Sequence, residues 1–252
     1  MHPVKFVVPL AVVALSTVAM AQTTRPAQKA EQFKTQIIID VDLNHLVYLP
    51  ADYGKETDKQ TDKNKKWPLM IFLHGAGERG SNLEKVKTWG PPRIVESKPD
   101  FPFVLISPQC AAGKLWEPLA INALLDHALA TYNVDPDRVY LTGISMGGFG
   151  TWATAQAYPH RFAAIAPICG GGDSWRAAPL KDIPTWAFHG EQDKLVPIQR
   201  SQEMVDAVRK AGNQQVRFTR YPDAGHDSWT ESYNNPELYE WFLSHTRTRS
   251  AK

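Results

Sequence analysis

Short apolar runs bounded by turn residues recur along the chain: Gln36–Val41, His45–Leu49, Leu69–Leu73, Phe103–Ser107, Arg138–Thr142, Ala163–Pro167, Thr185–Phe188 and Val216–Arg220. Runs of this length, rich in Val, Ile, Leu and Phe, predict eight strands. Between the later runs the apolar positions change to helical spacing, over Leu119–Tyr132, Met146–Tyr158, Ile198–Ala211 and Pro236–Thr246. Strand and helix in alternation predict an α/β fold with a largely parallel sheet covered on both faces. The early runs have no helix between them, which predicts an antiparallel edge. The segment 55–66, KETDKQTDKNKK, mixes charges without an apolar residue and reads as a solvated loop. No internal repeat is visible.

Composition bounds the classes open to this pattern. With 252 residues, 43% hydrophobic and 21% charged, the chain can bury the core of one ordinary α/β domain. A formal net charge of +2, with no Lys/Arg cluster interleaved with aromatics, argues against a nucleic-acid partner. Lys5, the apolar stretch Phe6–Met20 and the A-x-A site Ala19-Met20-Ala21 predict a signal peptide over 1–21. The stretch is broken by Pro9, Ser16 and Thr17 and falls short of the ~20 residues of a span, so no membrane insertion is expected after cleavage. The expected organisation is a signal peptide at 1–21, a polar leader at 22–35 and one domain at 36–252, exported to the periplasm or beyond.

Candidate chemistry begins at Gly143-Ile144-Ser145-Met146-Gly147, directly after the run ending at Thr142. This is the G-x-S-x-G pattern, in which a serine stands at the tip of a sharp strand-to-helix turn. Small flanks are needed because any side chain two positions away would clash there. A serine used as a nucleophile needs a general base and an acid that orients it, in the chain order Ser, Asp/Glu, His on such a sheet. His189-Gly190-Glu191-Gln192-Asp193 follows the seventh run and Ala224-Gly225-His226-Asp227 the eighth. Asp193 and His226 are the candidates, both at strand ends where open sheets place their sites. Glu191 and Asp173 compete for the acid, and His189 and His74 for the base. The two rival histidines end strands, where an imidazole commonly binds loop backbone.

Two N–H donors are needed for a developing oxyanion. Met146, after the serine, supplies one. The turn His74-Gly75-Ala76-Gly77-Glu78-Arg79-Gly80 stands where the other is needed, and Ala76 N–H is the expected second donor. Glu78 and Arg79 in that turn read as an exposed loop ion pair before any role with substrate. Trp89, Trp116, Trp175 and Trp229 follow strands or flank these loops, and are candidates to line a substrate pocket beside the plainer role of packing. Trp152, inside the helix after the serine, reads as core. No histidine pair has metal-ligand spacing such as H-E-x-x-H, and no metal or cofactor is expected.

With these motifs in place, the chain resembles an α/β-hydrolase of the esterase type over about residues 36–246. The HGAGERG, GISMGG, HGEQDKLVP and AGHDSW segments are similar to those of secreted bacterial carboxylesterases related to feruloyl and acetyl xylan esterases. The resemblance implies Ser145, Asp193 and His226 as a triad, and strand order 1-2-4-3-5-6-7-8. It implies ester hydrolysis through an acyl-enzyme, on small or polysaccharide-borne esters such as acetyl or feruloyl groups of plant cell walls. The interval from Cys169 to Pro184, where related hydrolases insert lid helices, is short and predicts an open site. In that strand order Cys110 and Cys169 follow strands three positions apart, about 14 Å at ~4.8 Å per strand. Two separate buried thiols are expected, since bridged Cα atoms lie within ~7 Å. Two other readings stay open: a serine peptidase related to prolyl oligopeptidases, and a non-catalytic carbohydrate-binding protein on the same fold.

Overall fold

The computed structural model describes residues 28, 30–54, 66–98 and 100–247. The expected signal peptide and residues 55–65 of the charged run lie outside the described residues. Two compact units divide at Ile39. The described residues of the first carry no helix or strand. The second, from Asp40 onward, holds every element among the described residues: strands β1 (His45–Tyr48), β2 (Trp67–Leu73), β3 (Val104–Pro108), β4 (Val134–Ile144), β5 (Ala164–Ile168), β6 (Thr185–Gly190) and β7 (Val216–Tyr221). Its helices are α1 (Pro91–Ile94), α2 (Pro118–Thr131), α3 (Met146–Ala157), α4 (Gln199–Lys210), α5 (Trp229–Asn234) and α6 (Pro236–Leu243).

The strands lie in the order β1-β3-β2-β4-β5-β6-β7. Only β1 runs antiparallel, on β3; every other pairing is parallel. Among the described residues the sheet has seven strands, so the expected eighth, Gln36–Val41, is corrected. Those six residues form no strand, and Ile37 and Ile38 are 79% and 91% exposed. A run of isoleucines has high strand propensity, but without a ladder partner and a covering face nothing offsets the entropy of ordering it.

The parallel strands are buried on both sides, as a sheet covered on two faces requires. In β2 the side chains alternate between two cores. Leu69, Ile71 and Leu73 pack with Leu124 and Leu125 of α2, Trp152 of α3 and Met204 and Val208 of α4. Met70 and Phe72 point the other way, into a cluster with Tyr140, Phe188, Tyr233 and Phe242. Each such fully buried side chain contributes about 1.5–3 kcal/mol. The strand β4 is longer than expected because the chain re-enters the ladder before Pro136. Trp67 pairs with Val134 but Leu69 with Val139, a shift spanning Pro136, which has no N–H to donate.

Parallel register fixes where loops emerge. Leu73 pairs with Gly143, Ile144 with Ile168, Ile168 with Phe188, and Gly190 with Tyr221. The turns after β2, β4, β5, β6 and β7 therefore open on one rim.

Candidate active site

Ser145 occupies the one-residue turn between β4 and α3, with φ 52° and ψ −115°. Positive φ for a residue with a side chain costs on the order of 1–3 kcal/mol and persists only where the surroundings impose it. Here they do. A Cβ on Gly143 would lie 2.5 Å from the Gly147 carbonyl oxygen, and one on Gly147 would overlap the Leu73 carbonyl oxygen. The Ser145 N–H is shared between Ile168 O at 3.0 Å and Cys169 Sγ at 3.3 Å. Cys169, fully buried at the end of β5, is itself at φ 41°. Cys110 and Cys169 are both free and buried, and burial pushes both thiols up.

The serine hydroxyl lies 2.9 Å from His226 Nε2, and His226 Nδ1 lies 2.7 Å from Asp193 Oδ2. Since a carboxylate only accepts, Nδ1 carries the imidazole proton and Nε2 presents its lone pair to the hydroxyl. Asp193 is fixed from the other side: Leu195 and Val196 N–H groups both donate to Oδ1 at 2.9 Å. Burial pushes its carboxyl up, but the His226 hydrogen bond and the Val196 and Leu195 N–H groups outweigh that and hold it below the usual carboxylate range.

The rival groups are engaged elsewhere. Glu191 turns outward to pair with Arg220 at 2.9 Å, and Asp173 accepts from Trp175 N–H. His189 is fully buried behind the acid. Its Nε2 lies 3.1 Å from Asp193 Oδ2 and 2.8 Å from Val196 O, and its Nδ1 2.7 Å from Ser201 Oγ. Sequence reading missed that this imidazole shares the acid's oxygen. His74 accepts from Cys110 N–H at Nε2 and so donates from Nδ1 to Gly75 O at 2.6 Å.

Two backbone donors belong to residues that line one cavity with Ser145. Met146 N–H sits at the start of α3, where the helix dipole favours negative charge, and Ala76 N–H sits in the turn after β2. Neither is taken up by a protein acceptor among the described residues. A hydroxyl in line with an imidazole and a carboxylate, beside two unengaged N–H groups, can act as a nucleophile toward a carbonyl and hold the oxygen that becomes negative.

The Phospholipase/Carboxylesterase family profile matches residues 117–237, which include Ser145, Asp193 and His226. Poly(3-hydroxyalkanoate) depolymerase C of Paucimonas lemoignei is 47% identical over 115 residues, covering 41% of this chain and 28% of that protein. A bifunctional acetylxylan esterase/xylanase of Neocallimastix patriciarum is 24% identical over 184 residues, covering 69% of this chain and 26% of that protein. The chain thus spans about a quarter of the length of these two relatives. A solved thermostable esterase superposes with a TM-score of 0.69 at 32% identity, over 82% of this chain and 60% of that one. The fold is that of the α/β-hydrolases.

On this α/β-hydrolase rim a cavity of about 460 Å³ opens beside Ser145. Trp116 lines it, with its indole N–H donating to His74 O at 3.0 Å. Met146, Phe149, Gly150 and Ala153 line it too, with Gly150 packed against the Trp116 side chain. Their spacing is that of one face of α3, a signal available in the sequence once the serine is placed at the helix start. Trp229 stands edge-on to the His226 ring at 5.3 Å and meets Trp89 at 5.8 Å, but among the described residues neither lines this cavity. Trp175 is apart from both, 96% exposed on a short 3-10 turn. Trp152 is fully buried. Between Cys169 and Pro184 the chain makes only two such turns. Among the described residues no cluster of His, Cys, Asp or Glu is arranged to hold a metal, and no helix is long and apolar enough to cross a membrane.

His74 makes the α/β-hydrolase rim acid-sensitive. Burial lowers its pKa from 6.5 to about 4, with the Gly75 carbonyl opposing and the Arg79 charge adding to the fall. The unfolded chain binds this proton near pH 6.5 and the folded chain only near pH 4. The unfolding free energy is therefore expected to fall by about 3 kcal/mol from this group as pH drops through that window. Urea unfolding at pH 7 and pH 4 measures the fall. In His74→Gln, which keeps an acceptor for Cys110 N–H, it should be smaller by about that amount; an equal fall in both proteins refutes the assignment.

Proposed function

We propose that the protein is an exported serine carboxylesterase. The observation that carries this reading is the continuous line from Ser145 Oγ through His226 to Asp193, with spacings of 2.9 and 2.7 Å, beside the Met146 and Ala76 N–H groups. His226 Nε2 takes the hydroxyl proton as Ser145 Oγ attacks the ester carbonyl. The two N–H groups hold the tetrahedral oxyanion, each worth about 3 kcal/mol in the transition state. The imidazolium returns its proton to the leaving alcohol, and water, activated by the same imidazole, releases the acid from the acyl-enzyme. Asp193 keeps the proton on Nδ1 and stabilises the imidazolium.

The substrates proposed are acetyl or feruloyl esters of plant polysaccharides. Support comes from the signal-peptide pattern, the absence of a lid insertion between residues 169 and 184, and the likeness to an acetylxylan esterase. The 47% identical stretch shared with a poly(3-hydroxyalkanoate) depolymerase favours a second reading, esters of short hydroxyacid oligomers. Initial rates on p-nitrophenyl acetate, p-nitrophenyl octanoate, methyl ferulate, acetylated xylan and 3-hydroxybutyrate oligomers, with Ser145→Ala as control, test both. Serine-dependent rates highest on xylan or ferulate support the first reading, and highest on the oligomers the second. Rates confined to simple p-nitrophenyl esters sink both substrate readings and leave a general carboxylesterase, while no hydrolysis of any ester sinks the activity itself.

A further inference from the structure

Glu78 and Arg79, read from sequence as an exposed loop pair, are not a pair. Glu78 turns inward and is 8% exposed; burial pushes its carboxyl up, against the N–H groups of Glu78 itself and of Gly75, which favour the anion. Arg79 turns the other way and lines the cavity beside Ser145. Its Nε donates to Ala76 O at 3.0 Å and its Nη1 to Lys114 O at 3.3 Å. These tethers use two of the five guanidinium N–H groups and leave three. Among the described residues no carboxylate lies within ion-pair distance of it.

The other side chains around the cavity are mainly apolar, Leu115, Trp116, Phe149 and Ala153 among them, and among the described residues that line it Arg79 alone is charged. A guanidinium is a permanent cation whose planar fork matches a carboxylate. Held at two points, it meets an anion without first losing its own freedom, and the apolar wall beside it strengthens the attraction. Arg79 is also hooked to the carbonyl of Ala76, the residue whose N–H faces the reacting carbonyl in the proposed esterase. The cation thus shares one cavity with Ser145.

Resting on that esterase reading, we propose that Arg79 makes this cavity a subsite for esters that carry a carboxylate, with an apolar body along Leu115, Trp116 and Phe149 and the anionic end on the free guanidinium N–H groups. Hemiesters of dicarboxylic acids and hydroxyacid oligomers with a free acid end belong to this class.

The test compares charged and neutral esters of nearly the same shape. One pair carries the charge on the acyl side: 4-nitrophenyl hydrogen glutarate against 4-nitrophenyl valerate. The other carries it on the alcohol side: 4-acetoxybenzoate against its methyl ester. The readout is the ratio of kcat/KM, charged over neutral, in wild type, Arg79→Lys and Arg79→Gln. A role confined to stapling the loop lowers both members together and cancels in the ratio. In at least one pair the ratio is expected to fall by roughly tenfold or more in Arg79→Gln, the scale of a charge-assisted hydrogen bond, and by less in Arg79→Lys. A ratio unchanged within about twofold in both pairs, with neutral esters still cleaved by wild type, overturns the subsite and leaves the esterase. Wild type inactive on every ester, charged and neutral alike, overturns the esterase reading, and the subsite with it.

Discussion

Replacing Ser145 with alanine is expected to lower kcat on p-nitrophenyl acetate by about a million-fold, leaving only what the Met146 and Ala76 N–H groups and substrate binding supply. The same position tests whether backbone strain is held there. Alanine keeps a side chain at φ 52°, so Ser145→Ala stays as strained as wild type. Glycine adopts that conformation freely. Relief of ~1–3 kcal/mol, less the ~0.5–1 kcal/mol that glycine adds to unfolded-state entropy, predicts that Ser145→Gly is more stable by about 1 kcal/mol while equally inactive. Urea unfolding of the three proteins decides it: a glycine variant no more stable than the alanine one removes the strain, and residual activity in either above about one part in a thousand removes Ser145 as nucleophile.

Asp193→Asn is expected to cost about 10⁴-fold in kcat, with Glu191→Gln within about twofold of wild type. The reason is the tautomer. An asparagine amide oxygen can still accept from Leu195 and Val196 N–H, which turns the amide nitrogen, a donor, toward His226 Nδ1. The imidazole proton then moves to Nε2 and faces the serine hydroxyl, which can no longer deliver its own. Glu191 is spent on a surface pair with Arg220, worth at most about 1 kcal/mol of stability. A linked effect on folding follows from the depressed Asp193 carboxyl. Its contribution is present above the unfolded carboxylate value, near pH 4, and is lost as pH falls through the lower folded value. Acid unfolding should therefore lose part of its steepness below pH 4 in Asp193→Asn. A glutamine at 191 that abolishes activity, with Asp193→Asn fully active, would exchange the two carboxyls.

What local chemistry encodes was legible before any coordinates. The elements β2 to β7 and the four long helices follow from apolar period and turn residues, because burial of a face demands that spacing wherever the element sits. The bend at Ser145 was legible too, since a Cβ on Gly143 would meet the Gly147 carbonyl four residues on, whereas the Leu73 carbonyl that keeps Gly147 small is brought there only by the neighbouring strand. Chain order then placed Asp193 and His226 after the right strands.

Direction and partnership were not legible. Glu191 and Asp193 leave the same strand two residues apart, and only the turn pinned by Leu195 and Val196 N–H decides which carboxyl points inward. Gln36–Val41 has the composition of a strand, but a strand exists only where another edge receives it. Glu78 and Arg79 read as partners because they are adjacent, while the fold sends one to the Gly75 backbone and the other to the cavity. His189 meets the Asp193 oxygen on one side and Ser201 of α4 on the other, a partner that chain order does not announce. By itself the sequence determined which residue types stand at the ends of which strands, a matter of short-range sterics and burial. Tertiary structure alone decided which of those side chains meet, because hydrogen bonds and ion pairs depend on directions that residues distant in the chain impose.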